Sequence, residues 1–217
     1  MSSRRESSFF RSLSHAPCAH VFNPWEDHDP GTDLEAKAPF QRLARLRAHM
    51  AIPARYILIG EAAGYQGCKV SGIPFTSERL ILADEIPRVR SDGQRLTSRP
   101  RPWSEPSATI VWSTLRALGI ADHTILWNAF PWHPHKPGNL HSNRTPTSTE
   151  RELGLPVLEE LLRRHPEATV FAVGRNAEWA LQFMSRPAIA LRHPSMGGAT
   201  KFREGLRRVS AKALRSG

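Results

Sequence analysis

Glu61, Asn128 and His193 are the side chains best placed for chemistry in this chain, and each sits at or just beyond the end of an apolar run. The first run, Tyr56–Ile59, breaks into a loop with glycines at Gly60, Gly64, Gly67 and Gly72, and closes on Ile73-Pro74-Phe75-Thr76. Glu61 directly follows the first of these glycines. A buried strand feeding such a loop builds ligand sites at the carboxyl edge of a parallel sheet. Glycine allows the sharp turn and the close backbone approach. A second run, Thr124–Phe130, contains Asn128, and a third ends in His193-Pro194-Ser195-Met196. A carboxylate can orient or deprotonate water. A carboxamide offers a donor and an acceptor side by side, and a neutral imidazole offers an N–H. Phe75 adds an aromatic face on which a flat ring can stack.

The charge of the chain suggests its partner. At 217 residues it is most simply one domain with a proper core. Its 40% hydrophobic and 23% charged residues are ordinary for a globular protein. A formal net charge of +10 and a pI near 10.7 are not. Such a balance points to a polyanion, nucleic acid first and an anionic membrane second. No apolar run approaches the length of a membrane span. Two cysteines, Cys18 and Cys68, suit a reducing compartment. They are too few for a disulfide framework, a four-cysteine zinc site or an iron–sulfur cluster. Cys18, His20 and His28 fit no standard metal spacing, and neither metal nor cofactor is expected. Residues 1–15 are rich in Ser and Arg without the apolar core of a secretory signal. A transit peptide could have this composition, but residues 1–30 read as a basic arm, partly disordered, on a single domain over 1–217.

The elements that must position these residues alternate. Leu34–Met50 has helical periodicity, with Leu34, Phe40, Leu43, Leu46 and Met50 near one face and Arg42, Arg45 and Arg47 interleaved. Tyr56–Gly60 reads as a strand and Ser77–Ile86 as a helix. Pro87–Pro106 is basic and proline-rich, and reads as an irregular loop or mobile insertion. Ser107–Leu118 is helical, with Pro106 and Ser107 where a cap belongs and Gly119 at its end. Strand Thr124–Phe130 runs into a His-, Pro- and Asn-rich loop. Thr147, three residues before Glu150, forms a capping box that opens a helix to Arg164. Strand Ala168–Gly174, helix Arg175–Met184, strand Ala188–Arg192 and a basic helix near Thr200–Leu214 complete the chain. This order predicts a three-layer α/β/α sandwich around a mainly parallel four-stranded sheet. The loops over 60–76, 128–146, 174–176 and 193–200 all follow strands, so they gather at one sheet edge.

Taken together, the loops resemble those of the uracil-DNA glycosylase superfamily. The family's first signature is a strand followed by Gly-Glu-Ala-Pro-Gly or Gly-Gln-Asp-Pro-Tyr. Here it reads Gly60-Glu61-Ala62-Ala63-Gly64. A Gly-x-Pro-Phe segment follows as Gly72-Ile73-Pro74-Phe75, then a strand with Asn128, then Asn143-Arg144-Thr145-Pro146-Thr147. The last signature, His-Pro-Ser plus a wedge residue, is His193-Pro194-Ser195-Met196. The match runs from about Tyr56 to Arg208. Each piece alone is weak, but in this order, each after an expected strand, they are specific.

The resemblance implies excision of uracil from DNA, leaving an abasic site. The base must first leave the helix. Phe75 can stack on it, and Asn128 can pair with O4 and N3–H of uracil while mismatching the amino group of cytosine. Cleavage builds positive charge on the sugar and negative charge on the base. Glu61 suits the first and His193, donating to O2, the second. Gly60 and Ala62 complete the base site. Met196, between Pro194 and Gly197-Gly198, can act as a wedge. Ser107, Ser195 and the backbone near Gly174 and Arg175 can grip phosphates, with Lys201 and Arg203 adding sequence-blind charge. A soluble, monomeric, cytoplasmic protein, or one located wherever the genomic DNA is, follows from this reading.

Three departures matter. The four cysteines of the iron–sulfur branch are missing, Ala63 replaces the usual proline, and Ala62 stands where the most familiar branch has Asp, so the acid role falls on Glu61. The loop Trp132–Ser142 also reads as longer than usual, with His133, His135 and His141. One branch bonds a loop histidine covalently to the abasic sugar, but its preceding basic run is absent here. Zinc on His133 and His135 is no better supported. Two rivals remain open at this stage: a catalytically silent module binding uracil-containing or single-stranded DNA, and a glycosylase for another base, such as hypoxanthine or xanthine.

Overall fold

The computed structural model describes residues 8–14 and 18–213. Its centre is a four-stranded parallel sheet of β2 (Tyr56–Ala62), β3 (Thr124–Phe130), β5 (Thr169–Val173) and β6 (Ile189–Leu191), in the order β3-β2-β5-β6. A second, two-stranded antiparallel sheet joins β1 (Val21–Phe22) to β4 (His133–Pro134).

Strand side chains alternate between faces, and here both faces are apolar. Ile57 and Ile59 of β2, Ile125 and Trp127 of β3 and Ala172 of β5 belong to one core. That core is covered by α5 (Ser148–Arg164), through Leu158 and Leu161, and by α6 (Arg175–Phe183), through Ala177 and Ala180. Leu58, Leu126, Phe171 and Val173 face the other way. They meet Val111, Trp112 and Leu115 of α4 (Pro106–Ala117) and Phe202 and Leu206 of α7 (Ala199–Ala213). The result is the expected three-layer sandwich. The capping box of α5 is present: Thr147 Oγ1 accepts from Glu150 N–H and Glu150 Oε2 accepts from Thr147 N–H. β3 lies at the sheet edge, and buried His49 caps it by accepting from Leu126 N–H at 2.9 Å. Burial pushes the His49 pKa down to about 3, so its ring is neutral in this role. No helix among the described residues is long and apolar enough to cross a membrane.

Four local expectations need correction. First, the N-terminal arm does not hang free where it is described. Phe9, Leu13, Val21 and Trp25 enter the core, and Trp25 stacks on Trp127 at 5.9 Å. Residues 1–7 and 15–17 lie outside the described part. Second, the helix α1 (Ala38–Met50) begins four residues later than its periodicity predicts. Leu34 and Phe40, expected inside, are 53% and 73% exposed, while Arg42 and Arg45 are buried. Arg42 can be buried because Asp33 receives it in an ion pair at 2.6 Å and the carbonyls of Pro24 and Asp27 accept two more of its N–H groups. Third, the 87–106 segment is irregular but tied down. Buried Glu78, at the start of α3 (Glu78–Leu82), which follows the short α2 (Cys68–Ser71), accepts from Leu96 N–H, Thr97 N–H, Arg95 and Trp103 N–H. Fourth, Ser107 does not cap α4. The N-cap position belongs to Glu105, with no side-chain cap bond.

Candidate active site

The carboxyl ends of β2, β3, β5 and β6 open into two adjoining clefts of about 630 and 500 Å³ that share Glu61, His193, Ser195 and Thr145. A recess of about 50 Å³ lies beneath, walled by Glu61, Ala62, Phe75, Asn128, His193 and Glu105. Glu61, Asn128, His193 and Phe75, scattered over 133 positions of sequence (193 − 61 + 1), therefore converge on one recess. β2 lies between β3 and β5, so the crossover from β2 to β3 runs one way along the sheet and the next, from β3 to β5, runs the other. Such a switch point is where an open α/β sheet leaves room for a ligand.

Gly60 sets the depth of this recess. It is the ladder partner of Asn128 on β3, so a side chain there would share the face of the Asn128 amide. A Cβ on residue 60 would lie 2.5 Å from Phe75 Cζ and 2.7 Å from an Asn128 amide atom. Glycine is required by that crowding. Phe75 reaches the same point with a φ of +50°, a conformation that non-glycine residues seldom adopt. Its ring is 5.9 Å from that of His193, tilted by 36°. Strained backbone of this kind is concentrated at ligand sites, where the surrounding structure enforces it. The arm supports the loop from outside, since Trp25 Nε1–H donates to Gly72 C=O at 3.0 Å.

Asn128 is buried, and its amide is assigned the orientation that pairs it with two backbone groups, one of which, Ala63 N–H, also faces Trp132 C=O at 3.2 Å. Nδ2 donates to Trp127 C=O at 3.3 Å and Oδ1 accepts from Ala63 N–H at 3.2 Å. Each terminal atom retains capacity for one more bond, one N–H and one lone pair.

His193 is held by its own turn. Ser195 N–H donates to Nδ1 at 3.1 Å, and Ser195 Oγ lies 2.7 Å from the same atom. A backbone N–H can only donate, so Nδ1 is the acceptor and the ring proton sits on Nε2. Burial lowers the His193 pKa below its usual 6.5, Arg192 lowers it further, and Glu61 opposes both. The ring is thus a neutral N–H donor at pH 7. Gly174 lets it sit there: with a φ of +91° at the head of α6, its missing Cβ would come within 3.3 Å of His193 Cβ.

The outer residues divide. Ser107 lines the larger cleft, Gly174 and Arg175 line the other, and Ser195 lines both. Met196 stands at the mouth of the larger cleft, 90% exposed, with a φ of +52° and Gly197 after it at +74°. Lys201 and Arg203 are exposed on α7 and line neither cleft. Lys201 and Arg203 alternate with buried Phe202 on a helix with one solvated face.

The histidine-rich loop is occupied otherwise. His133 turns Nδ1 to Ala63 C=O at 2.7 Å and Nε2 to Leu140 C=O at 3.1 Å. His141 Nε2 lies 2.8 Å from Thr32 Oγ1 and faces none of the cavities that Glu61 lines. Among the described residues, no group of three or more His, Cys, Asp or Glu side chains is placed to hold a metal ion.

Two features of the site were given no role from the sequence. Asn143, Arg144 and Thr145 form a wall of the larger cleft, where Asn143 Oδ1 accepts from Tyr65 N–H at 3.0 Å and Arg144 is locked to Glu150 at 2.6 Å. Glu105 enters the recess from the head of α4. Its position just before Pro106 marks a helix start, but nothing local in the sequence says that its carboxyl turns inward.

Comparison with known proteins agrees with this fold. The crystal structure of Pedobacter heparinus SMUG2 superposes with a TM-score of 0.63 at 19% identity, covering 99% of this chain and 98% of that one. No curated protein sequence matches the chain. A family model described as "Uracil DNA glycosylase superfamily" matches residues 48–212, a span that contains every residue of the recess. The chain belongs to the uracil-DNA glycosylase superfamily.

Proposed function

We propose that this DNA glycosylase hydrolyses the N-glycosidic bond of deoxyuridine in DNA and leaves an abasic site. The observation that carries the reading is the Asn128 amide. The side chain lines a recess with Phe75, His193 and Glu61, and in the orientation assigned to it keeps one N–H and one lone pair for a ligand. Uracil presents the complementary pair, O4 and N3–H. Cytosine presents an amino group and a bare ring nitrogen, which would face a donor with a donor and an acceptor with an acceptor. A site built on such a fixed pair rejects the wrong partner strongly, because buried polar groups are left unpaired.

In this reading the base stacks on Phe75 and pairs with Asn128. As the bond to the sugar lengthens, negative charge gathers on the base oxygens, and the Nε2–H of His193 meets it at O2. Positive charge gathers on the sugar, and the carboxylate of Glu61 stabilises it and orients the attacking water. Glu61 sits where the recess meets both clefts, so solvent reaches it. Met196 fills the place left by the extruded nucleotide, and its exposure on a glycine-flanked tip suits that role. Ser107, Ser195, Gly174 and Arg175 hold the flanking phosphates.

The test is alkaline cleavage of a uracil-containing oligonucleotide after incubation with the protein, beside a cytosine-containing control. Strand breaks at uracil alone support the reading. Tight binding without breaks would favour the silent binding module.

A further inference from the structure

Two conspicuous stretches of the sequence take no part in the chemistry above: the basic segment over 87–106 and the histidine-rich loop Trp132–Ser142. The structure brings both to one place, around Tyr65 of the glycine loop. Trp103 is the pedestal there. It is 7% exposed, and its backbone N–H donates to buried Glu78 at 3.3 Å. The Tyr65 ring meets it nearly at right angles at 5.7 Å, the His141 ring lies 5.4 Å away, and the Arg99 guanidinium sits over its face at 4.3 Å. The Tyr65 and His141 rings are 6.3 Å apart and tilted by 34°. Tyr65 is half-buried and the His141 side chain is 48% exposed, so ring surface of both stays open to solvent.

The rings are held in place before any ligand arrives. Tyr65 N–H donates to Asn143 Oδ1 at 3.0 Å, and Thr32 Oγ1 lies 2.8 Å from His141 Nε2. Asp29, itself in a buried ion pair with Lys69 at 2.6 Å, stands 3.9 Å from the same nitrogen. Burial, with Lys69 and Arg99 nearby and Asp29 opposing, keeps the His141 pKa below its usual 6.5, so the ring is a neutral flat surface at pH 7. A preformed surface spends little ordering entropy on binding. Charge surrounds it. Arg88 and Arg95 of the basic segment pair with Asp122 and Glu78. Arg99 and Arg101 are exposed, and among the described residues neither has an ion-pair partner. Open rings beside free guanidinium groups suit a single nucleic-acid strand, since the rings take a base and the cations its phosphates.

The place of the cluster says which strand. Gly64 and Gln66, on either side of Tyr65, line the larger cleft, as does Asn143, and none of the three lines the smaller one. The cluster thus adjoins the larger cleft at its Gly64–Asn143 wall. The geometry points to Tyr65 and His141, backed by Trp103 and Arg99, as a second binding site: a stacking platform for an unpaired base on the target strand, a few nucleotides from the one being excised. It rests on DNA lying in the clefts as proposed above.

The test measures the affinity of the full chain, carrying Glu61→Gln to slow turnover, for single-stranded oligonucleotides with one uracil. In a series of them, one base at a time on either side of the uracil is replaced by a stable abasic analogue. One position, or two adjacent ones, should stand out with roughly tenfold weaker binding, the order of one base stacked on an aromatic side chain. Tyr65→Ala and His141→Ala should each weaken binding of the intact strand by up to that factor and abolish the penalty at that position. Tyr65→Phe should bind like the parent. With Glu61 restored, single-turnover uracil release at saturating DNA should be unchanged in these variants, because the platform holds the strand and not the excised base. A flat abasic series, or a Tyr65→Ala loss that is the same whichever base is deleted, overturns the platform; normal uracil release beside it leaves the proposed function standing. Slower release at saturating DNA with unchanged affinity also overturns it, by assigning Tyr65 to the chemistry. A position-dependent series without uracil release supports the platform and refutes the uracil reading. If Tyr65→Ala does not fold, the abasic series and His141→Ala decide alone.

Discussion

Replacing Gly60 with alanine adds a single methyl group at the most crowded point of the site. Carbon atoms in contact sit about 3.5–4.0 Å apart, and the new Cβ would start 2.5 Å from Phe75 Cζ and 2.7 Å from an Asn128 amide atom. One of them must therefore yield by about 1 Å. Phe75 cannot swing outward freely, because its ring is buried and its backbone is already in the left-handed region. Asn128 can move only by breaking its bonds to Trp127 C=O and Ala63 N–H. Overpacking of this size costs about 1–3 kcal/mol of stability, so the variant should fold with a lowered melting temperature. A displacement of about 1 Å in a positioning group costs roughly 10²-fold in rate. Single-turnover uracil release should fall by that order, with KM raised as well, since base reading is impaired. The measurements are melting temperature, KM and single-turnover rate for Gly60→Ala beside wild type. A folded Gly60→Ala with wild-type rate and KM would refute the reasoning: the base would then not be read in this recess.

Further outcomes follow from the same geometry. Glu61→Gln keeps the side-chain shape and removes its charge, so the chemical step should slow by ~10²–10⁴ while affinity for uracil DNA changes little; full activity in the folded variant would place the catalytic group elsewhere. Met196→Ala should slow release from duplex DNA more than from single strands, where no stack must be opened; equal losses would make Met196 a packing residue. Glu150 is held down to about 2, first by its hydrogen bond to Arg144. A carboxyl depressed on folding stabilises the protein above its unfolded pKa, and that contribution disappears as pH falls through about 2. Glu150→Gln should therefore be less stable than wild type at pH 7 in urea unfolding, with the gap closing toward pH 2. A gap that persists at acid pH would assign the loss to the α5 cap and not to the charge.

What the sequence made legible was whatever depends on near neighbours. β3 has the boundaries its apolar run predicts, and the Thr147 capping box needs only four consecutive residues. The site loops were legible for a related reason. Each follows a strand, and parallel strands joined by helices bring all their carboxyl ends to one edge, so Glu61, Asn128 and His193 had to converge. Arg42 was not legible, because its burial depends on partners away from it along the chain. Arg42 looks like the polar face of a helix until Asp33 and the Pro24 and Asp27 carbonyls are placed around it. The segment over 87–106 looks loose until Glu78 gathers its amides. Periodicity assigns a charged residue to solvent by default, and that default fails where a distant group satisfies the charge. Glu105 fails in the opposite way: among the described residues no group partners its Oε2. A charged side chain kept inside by partners supports the fold.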